Sequence, residues 1–159
     1  MMDENIAKLE EKGSPITSFS LSAIDSYLEQ LRLNGTIHDY GWVSSVDALA
    51  AYDFWIDDGK QRILVGVKTT KEDFDTPFNV WYNELLQMSG LPERYDIYYL
   101  SQFTGKTAKL SIAKNVGEIA RKVMDGIKKM PAGVYVDVAI SPSILPFEPP
   151  ITINLGMEE

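Results

Sequence analysis

Residues 62–69 read Arg62-Ile63-Leu64-Val65-Gly66-Val67-Lys68-Thr69. Apolar side chains at consecutive positions fit a strand covered on both faces, and such a strand is central in its sheet. Just before it stands Asp57-Asp58-Gly59-Lys60. Asp-Gly supplies the positive φ that tight hairpin turns need, so the central strand has an antiparallel partner upstream, over 51–56. A fold for this chain must cover both sides of that pair.

The remaining elements follow from periodicity. Leu21, Ile24, Leu28 and Leu31 recur at helical spacing from Ser20 onward, and Asn34-Gly35 ends that helix. A first strand is expected over 42–46. Residues 78–81 read as a short edge strand, 83–88 as a short helix, and 95–103 as a strand rich in Tyr, Ile and Leu. Residues 109–113 pair back on it. Residues 116–129 form an amphipathic helix, and 134–140 a final strand. The mixture is α+β with a mixed sheet. Residues 1–19 are expected as an N-terminal arm, 20–141 as one domain, and 142–159 as an extended, irregular tail, since four of the eight prolines fall in 142–150.

Composition narrows the chemistry. The 159 residues include no cysteine and a single histidine, His38, which removes thiolate metal sites, disulfides, cysteine nucleophiles and any site needing two imidazoles from one chain. The net charge of −8 disfavours generic binding to phosphate-rich surfaces. No signal-like start and no long apolar stretch is present, so a cytoplasmic protein without a membrane partner is expected. Phosphate-cradling glycine loops and a nucleophile elbow are absent, and His38 is not expected to be catalytic.

Carboxylates and lysines therefore carry the possible chemistry. Asp53 and Lys68 lie on two antiparallel strands and can share one end of the sheet, although counting outward from the turn requires a bulge or a longer loop for direct pairing. An aspartate beside a lysine suits phosphodiester hydrolysis. The carboxylate holds Mg²⁺, a hard cation that prefers oxygen, and the lysine orients the attacking water or stabilises charge developing on phosphate. Solvated strand-end residues give the same pattern. Thr69 and Thr70 follow as candidate phosphate-binding hydroxyls, or simply as favourable strand sequence.

Four segments together carry a resemblance: Tyr52-Asp53-Phe54, Val67-Lys68-Thr69-Thr70, Phe78-Asn79-Val80-Trp81-Tyr82-Asn83-Glu84, and Tyr95-Asp96-Ile97-Tyr98-Tyr99-Leu100. They resemble the PD-(D/E)XK nuclease superfamily, in particular the nuclease-like domain found at the C-terminus of the plant protein NO VEIN. The resemblance implies a restriction-endonuclease-like αβββαβ core, here with an added C-terminal helix and strand. It implies a Mg²⁺ site with Asp53 as ligand and Lys68 as the catalytic cation. The acid expected two residues before the lysine falls on Gly66. Either Glu84 replaces it as metal ligand and catalytic acid, with Glu29 a weaker candidate, or the site is degenerate and the fold serves binding.

Residues 105–130 hold seven Lys/Arg against two acids. Lys114, Arg121, Lys122, Lys128 and Lys129 share one side at 100° per residue. Arg121, Lys122 and Lys129 are candidate phosphate contacts for a nucleic-acid partner; a solvated helix face is the plainer reading. Tyr95, Tyr98, Tyr99, Trp81, Tyr82 and Phe103 can stack on bases or pack the core. The functional expectation is a nucleic-acid-associated nuclease-like domain, either a Mg²⁺-dependent phosphodiester hydrolase or an inactive derivative. A protein-interaction or regulatory module on the same fold is the alternative.

Overall fold

The computed structural model describes residues 15–47, 50–90, 92–104, 106–131 and 138–155. Residues 1–14 of the expected arm, residues 134–137 of the strand expected at 134–140, and the last residues of the tail lie outside them.

Helix α1 (Pro15–Leu33) begins five residues ahead of the expected Ser20 start. Proline is well suited to a first helical turn, where its missing N–H has no intrahelical partner to lose. Residues 15–19 thus belong to the helix and not to an arm. Then come β1 (Asp39–Trp42), β2 (Phe54–Asp57), β3 (Arg62–Thr69), β4 (Phe78–Val80), α2 (Tyr82–Ser89), β5 (Arg94–Ser101), β6 (Thr107–Ala113), α3 (Gly117–Lys128), β7 (Val138–Ile140), a 3₁₀ turn (Pro142–Ile144) and β8 (Ile151–Asn154).

Six strands form one mixed sheet in the order β1-β2-β3-β5-β6-β8. The β2–β3 hairpin is antiparallel and Gly59 takes φ +89°, as the Asp-Gly turn requires. Strands β3 and β5 run parallel, and α2 lies in the crossover between them. As expected, β3 is central and buried along six consecutive residues.

The alternation of β3 sorts the core into two layers. Ile63, Val65 and Val67 face α1, packing with Leu21, Ile24 and Leu28. Leu64 faces the other way, with Tyr95, Ile97 and Tyr99 of β5, Leu85 and Met88 of α2, and Ala120 and Met124 of α3. Asp96, buried on β5, takes a two-pronged bond from Arg94 at 2.9 Å and accepts from the Asn115 amide at 2.9 Å, fixing the chain just before α3.

Three expectations change. Strand β1 pairs from Asp39↔Asp57 to Trp42↔Phe54, earlier than the expected 42–46, because the chain turns away after Trp42 through bonds from the Val46 and Asp47 amides to Val43 O. Strand β7 pairs with β4 in a separate two-stranded sheet. The tail is not simply extended and irregular: β8 adds an edge strand to β6, burying Ile153 and Leu155 against the α1-side core.

The β8 assignment makes a direct prediction. Ile153→Ala removes a buried core side chain and should cost about 2–4 kcal/mol. Urea unfolding measures it; a loss below about 0.5 kcal/mol, the range of ordinary surface changes, would show that the tail is not docked.

Candidate functional site

Asp53, Lys68 and Glu84 come together on the face of the sheet covered by α2 and α3. All three are buried, with exposures of 1%, 3% and 0%. Asp53 immediately precedes β2 and does not lie within it. Its amide donates to Val65 O at 2.8 Å, and its Oδ2 accepts from the Val67 amide at 2.8 Å. Asp53 thus extends the β2–β3 ladder by one residue, and its carboxylate also takes a β3 amide. Asp53 is not paired in register with Lys68, so neither the bulge nor the longer loop is required, and this side-chain bond sets Asp53 beside Gly66.

Lys68 has the parity of Leu64 and Gly66, so it points toward α2. Its Nζ donates to Glu84 Oε1 at 2.8 Å. Glu84 is the third residue of α2, and the same Oε1 accepts from the Trp81 amide at 2.9 Å. One carboxylate oxygen therefore caps the helix and receives the lysine, where the positive end of the helix favours it. Glu84 Oε2 is buried with no hydrogen-bond partner among the described residues.

Gly66 decides what else the site can hold. A Cβ built there would stand 2.6 Å from Tyr95 Oη. The phenol occupies the space that a side chain at 66 would need. Tyr95 is buried and donates to Ala51 O at 2.8 Å. Burial, reinforced by the Glu84 and Asp53 carboxylates, holds its hydroxyl well above the usual phenol range. It is a fixed neutral donor at physiological pH. In the sequence Tyr95 reads as one of several aromatics that stack on bases or pack the core; its signal is parity with Gly66 across two strands, which needs the β3–β5 pairing to be seen.

The other candidates divide. Thr69 lies on the opposite face, where its Oγ1 accepts from Ser20 Oγ of α1 at 2.9 Å. Thr70 follows β3; its Oγ1 accepts from the Glu72 amide at 3.1 Å, and its amide donates to Leu100 O. Glu29 sits half-exposed on α1, paired with Arg32, on the far side of the sheet from Lys68. His38 is exposed where the chain enters β1. Arg121, Lys122, Lys128 and Lys129 are exposed along or just after α3. Arg121 Nη1 donates to Ser89 O at 3.4 Å, and Lys122 stands 3.9 Å from Glu118. Lys114, 3.3 Å from Glu148, precedes the helix.

A hard divalent cation takes about six oxygens. Of the two carboxylates gathered here, one Asp53 oxygen takes an amide, and one Glu84 oxygen takes an ammonium and an amide. Gly66 adds none, and Tyr95 fills its neighbourhood. Among the described residues no group of three or more His, Asp or Glu is placed to hold a metal ion. Among the described residues these donors do not form an all-protein cage for Mg²⁺.

Residues 21–113, more than half of the chain, match the family model described as Protein NO VEIN, C-terminal, and the chain belongs to that family. Neither the curated proteins nor the solved structures searched contain a match. No helix among the described residues is long and apolar enough to cross a membrane.

Two predictions follow from the geometry. Lys68→Met and Glu84→Gln should each cost about 3–5 kcal/mol, because each leaves a buried partner uncompensated. The double variant should lose less than the sum, with a coupling of about 1–3 kcal/mol in urea unfolding; strict additivity would deny the pairing. In alkali the sign is set by the phenols. Tyr95 and Tyr98 are raised chiefly by burial, and Tyr99 is pushed up to about 12. A raised folded-state pKa gives stability that is full below the ordinary phenol value near ~10 and lost as pH rises through the raised one. Unfolding free energy should therefore fall with pH above about 10, less steeply in Tyr95→Phe.

Proposed function

Taking membership of the NO VEIN C-terminal family as premise, we propose that this domain is a non-cleaving derivative of a nuclease-like fold that binds nucleic acid through the exposed cations of α3. The observation that carries the first half is the Lys68 ammonium held inside the protein against Glu84, 2.8 Å away. A lysine that orients water or stabilises a phosphate must reach substrate, and this one is 3% exposed. The Tyr95 hydroxyl beside Gly66 supports the same reading, since it takes the room an additional acid would need.

The second half rests on where the positive charge sits. Arg121, Lys122, Lys128 and Lys129 reach solvent from α3 or its C-terminal end on a chain of net charge −8. Clustering of cations on an otherwise acidic surface confines phosphate contact to one face. A protein partner is the second reading, favoured by Tyr82 and Leu86, exposed four residues apart on α2 beside α3.

A salt titration separates the two. Three or four phosphate contacts predict a slope of log K against log salt of about −3 on duplex DNA. Reversing Arg121, Lys122, Lys128 and Lys129 to Glu should abolish binding, and Mg²⁺ should produce no cleavage. A flat slope or no binding favours the protein partner. Mg²⁺-dependent cleavage that disappears in Asp53→Ala overturns the non-cleaving reading.

A further inference from the structure

The six-stranded sheet ends in β1 on one side and β8 on the other, and the two edges differ. In an antiparallel pair, residues whose N–H and C=O bond the partner alternate with residues whose groups point away from it. On the first edge the Val43 amide donates to Asp53 O, so the backbone groups of Gly41 face β2 and those of Tyr40 and Trp42 face outward. Two of these outward groups are already taken. The Tyr40 amide donates to Asp39 Oδ1 at 2.9 Å, and Trp42 O accepts from Ser45 Oγ at 2.9 Å. A charged residue, Asp39, stands on the same strand. Such features keep an edge from pairing with another chain.

The second edge lacks them. The Leu155 amide donates to Lys106 O at 3.0 Å. The register of β8 on β6 then turns the backbone groups of Ile151 and Ile153 inward, and the amides and carbonyls of Thr152 and Asn154 outward. Both residues are exposed, and nothing among the described residues bonds those outward groups. The strand Ile151-Thr152-Ile153-Asn154 carries neither charge nor proline.

We propose that β8 pairs antiparallel with β8 of a second copy of this chain, about a two-fold axis at Ile153. That register sets Thr152 of each copy opposite Asn154 of the other, and these are the residues whose groups point outward. Every outward amide then meets an outward carbonyl. An axis at Thr152 would instead set Pro150 opposite Asn154, and proline has no N–H to give the Asn154 carbonyl. Threonine and asparagine face each other across the junction as a polar pair, with no like charges opposed. The contact is self-complementary and closes at two copies. Pairing of β8 with β1 of another copy would run on without closing, and the bonds already made at Tyr40 and Trp42 oppose it. A four-residue strand buries less than the ~1,200 Å² of a standard interface, so the dimer is transient, with a Kd of about 10–100 μM. Paired residues point to one side of a sheet, so both copies carry α3 on the same side. The pairing needs no nucleic acid and stands or falls apart from binding along α3.

Sedimentation equilibrium of the full chain, without nucleic acid, tests it from about 5 to 500 μM. Salt of about 0.3 M screens repulsion between copies of net charge −8. The mass of wild type should rise from one chain toward two and stop there. Asn154→Pro removes one outward N–H and no bond to β6, so it should weaken the dimer at least tenfold. The double variant Thr152→Lys, Asn154→Lys should be monomeric, as should Thr152→Glu, Asn154→Glu, because each sets like charges opposite across the junction. Mixing the two double variants should restore a one-to-one dimer. All should keep wild-type urea midpoints, since the changed side chains are exposed; if the proline variant does not fold, the charge variants still carry the test. A wild type that stays monomeric overturns the proposal and leaves the edge to an extended segment of another protein. Growth beyond two chains, unchanged dimers in the charge variants, or no dimer on mixing them also overturns it.

Discussion

The ion pair between Lys68 and Glu84 governs the structure around it. Each charge carries a desolvation penalty of several kcal/mol when taken from water, and only close, well-bonded contact offsets it. The chain meets that demand by making the same Glu84 oxygen accept from the Trp81 amide. The first turn of α2 is thereby tied to the C-terminal end of β3. Leu85 and Met88 then fall against Tyr95, Ile97 and Leu64, and α3 packs alongside α2. The 2.8 Å contact fixes one end of α2, and apolar packing holds the rest of the helical layer.

Gly66 and Tyr95 form the complementary constraint. The glycine has no need of unusual backbone freedom; its requirement is space, since the phenol comes within 2.6 Å of where a Cβ would stand. Tyr95 in turn reaches across the sheet to Ala51 O and holds the segment that leads into Asp53. Asp53 closes the loop by accepting the Val67 amide. Four elements are joined by groups that in a phosphodiester hydrolase would face solvent and substrate. Among the described residues of this cluster, one oxygen of Glu84 is left without a hydrogen-bond partner.

What the sequence made legible follows from how local each signal is. Strand β3 was read with its observed ends because a buried central strand needs consecutive apolar residues and its turn has its own chemistry. The amphipathic helix at α3 was placed within a residue of each end for the same reason. Strand β8 was missed: only Ile153 of its four residues is buried, so the pattern carries almost no period, and its stability comes from pairing with β6. The start of α1 is hidden because Ser20 is a good cap, whereas Ser20 is buried within the helix, its hydroxyl hydrogen-bonded to Ile16 O and Thr69 Oγ1. Thr69 was a candidate for the site although strand alternation already sets it on the opposite face from Lys68. The approach of Glu84 to Lys68 came from the family resemblance, and no spacing rule could have supplied it, because it depends on how a crossover helix docks.

The presence of Asp53, Lys68 and Glu84 is therefore weak evidence for turnover. A domain of this kind is stable by about 5–15 kcal/mol, and breaking one buried pair costs about 3–5 kcal/mol. Loss of either partner would remove a large share of the margin whether or not any bond were ever hydrolysed. Residue identity at these positions cannot separate a catalyst from a fold that depends on the same groups. Access can: a catalytic lysine must meet solvent or substrate, and an ammonium bonded to a helix-capping carboxylate beneath α2 does so only if that helix lifts away and leaves both charges unpaired. Catalysis here would have to break the contact that ties the helix to the sheet, whereas the proposed binding along α3 would leave it intact.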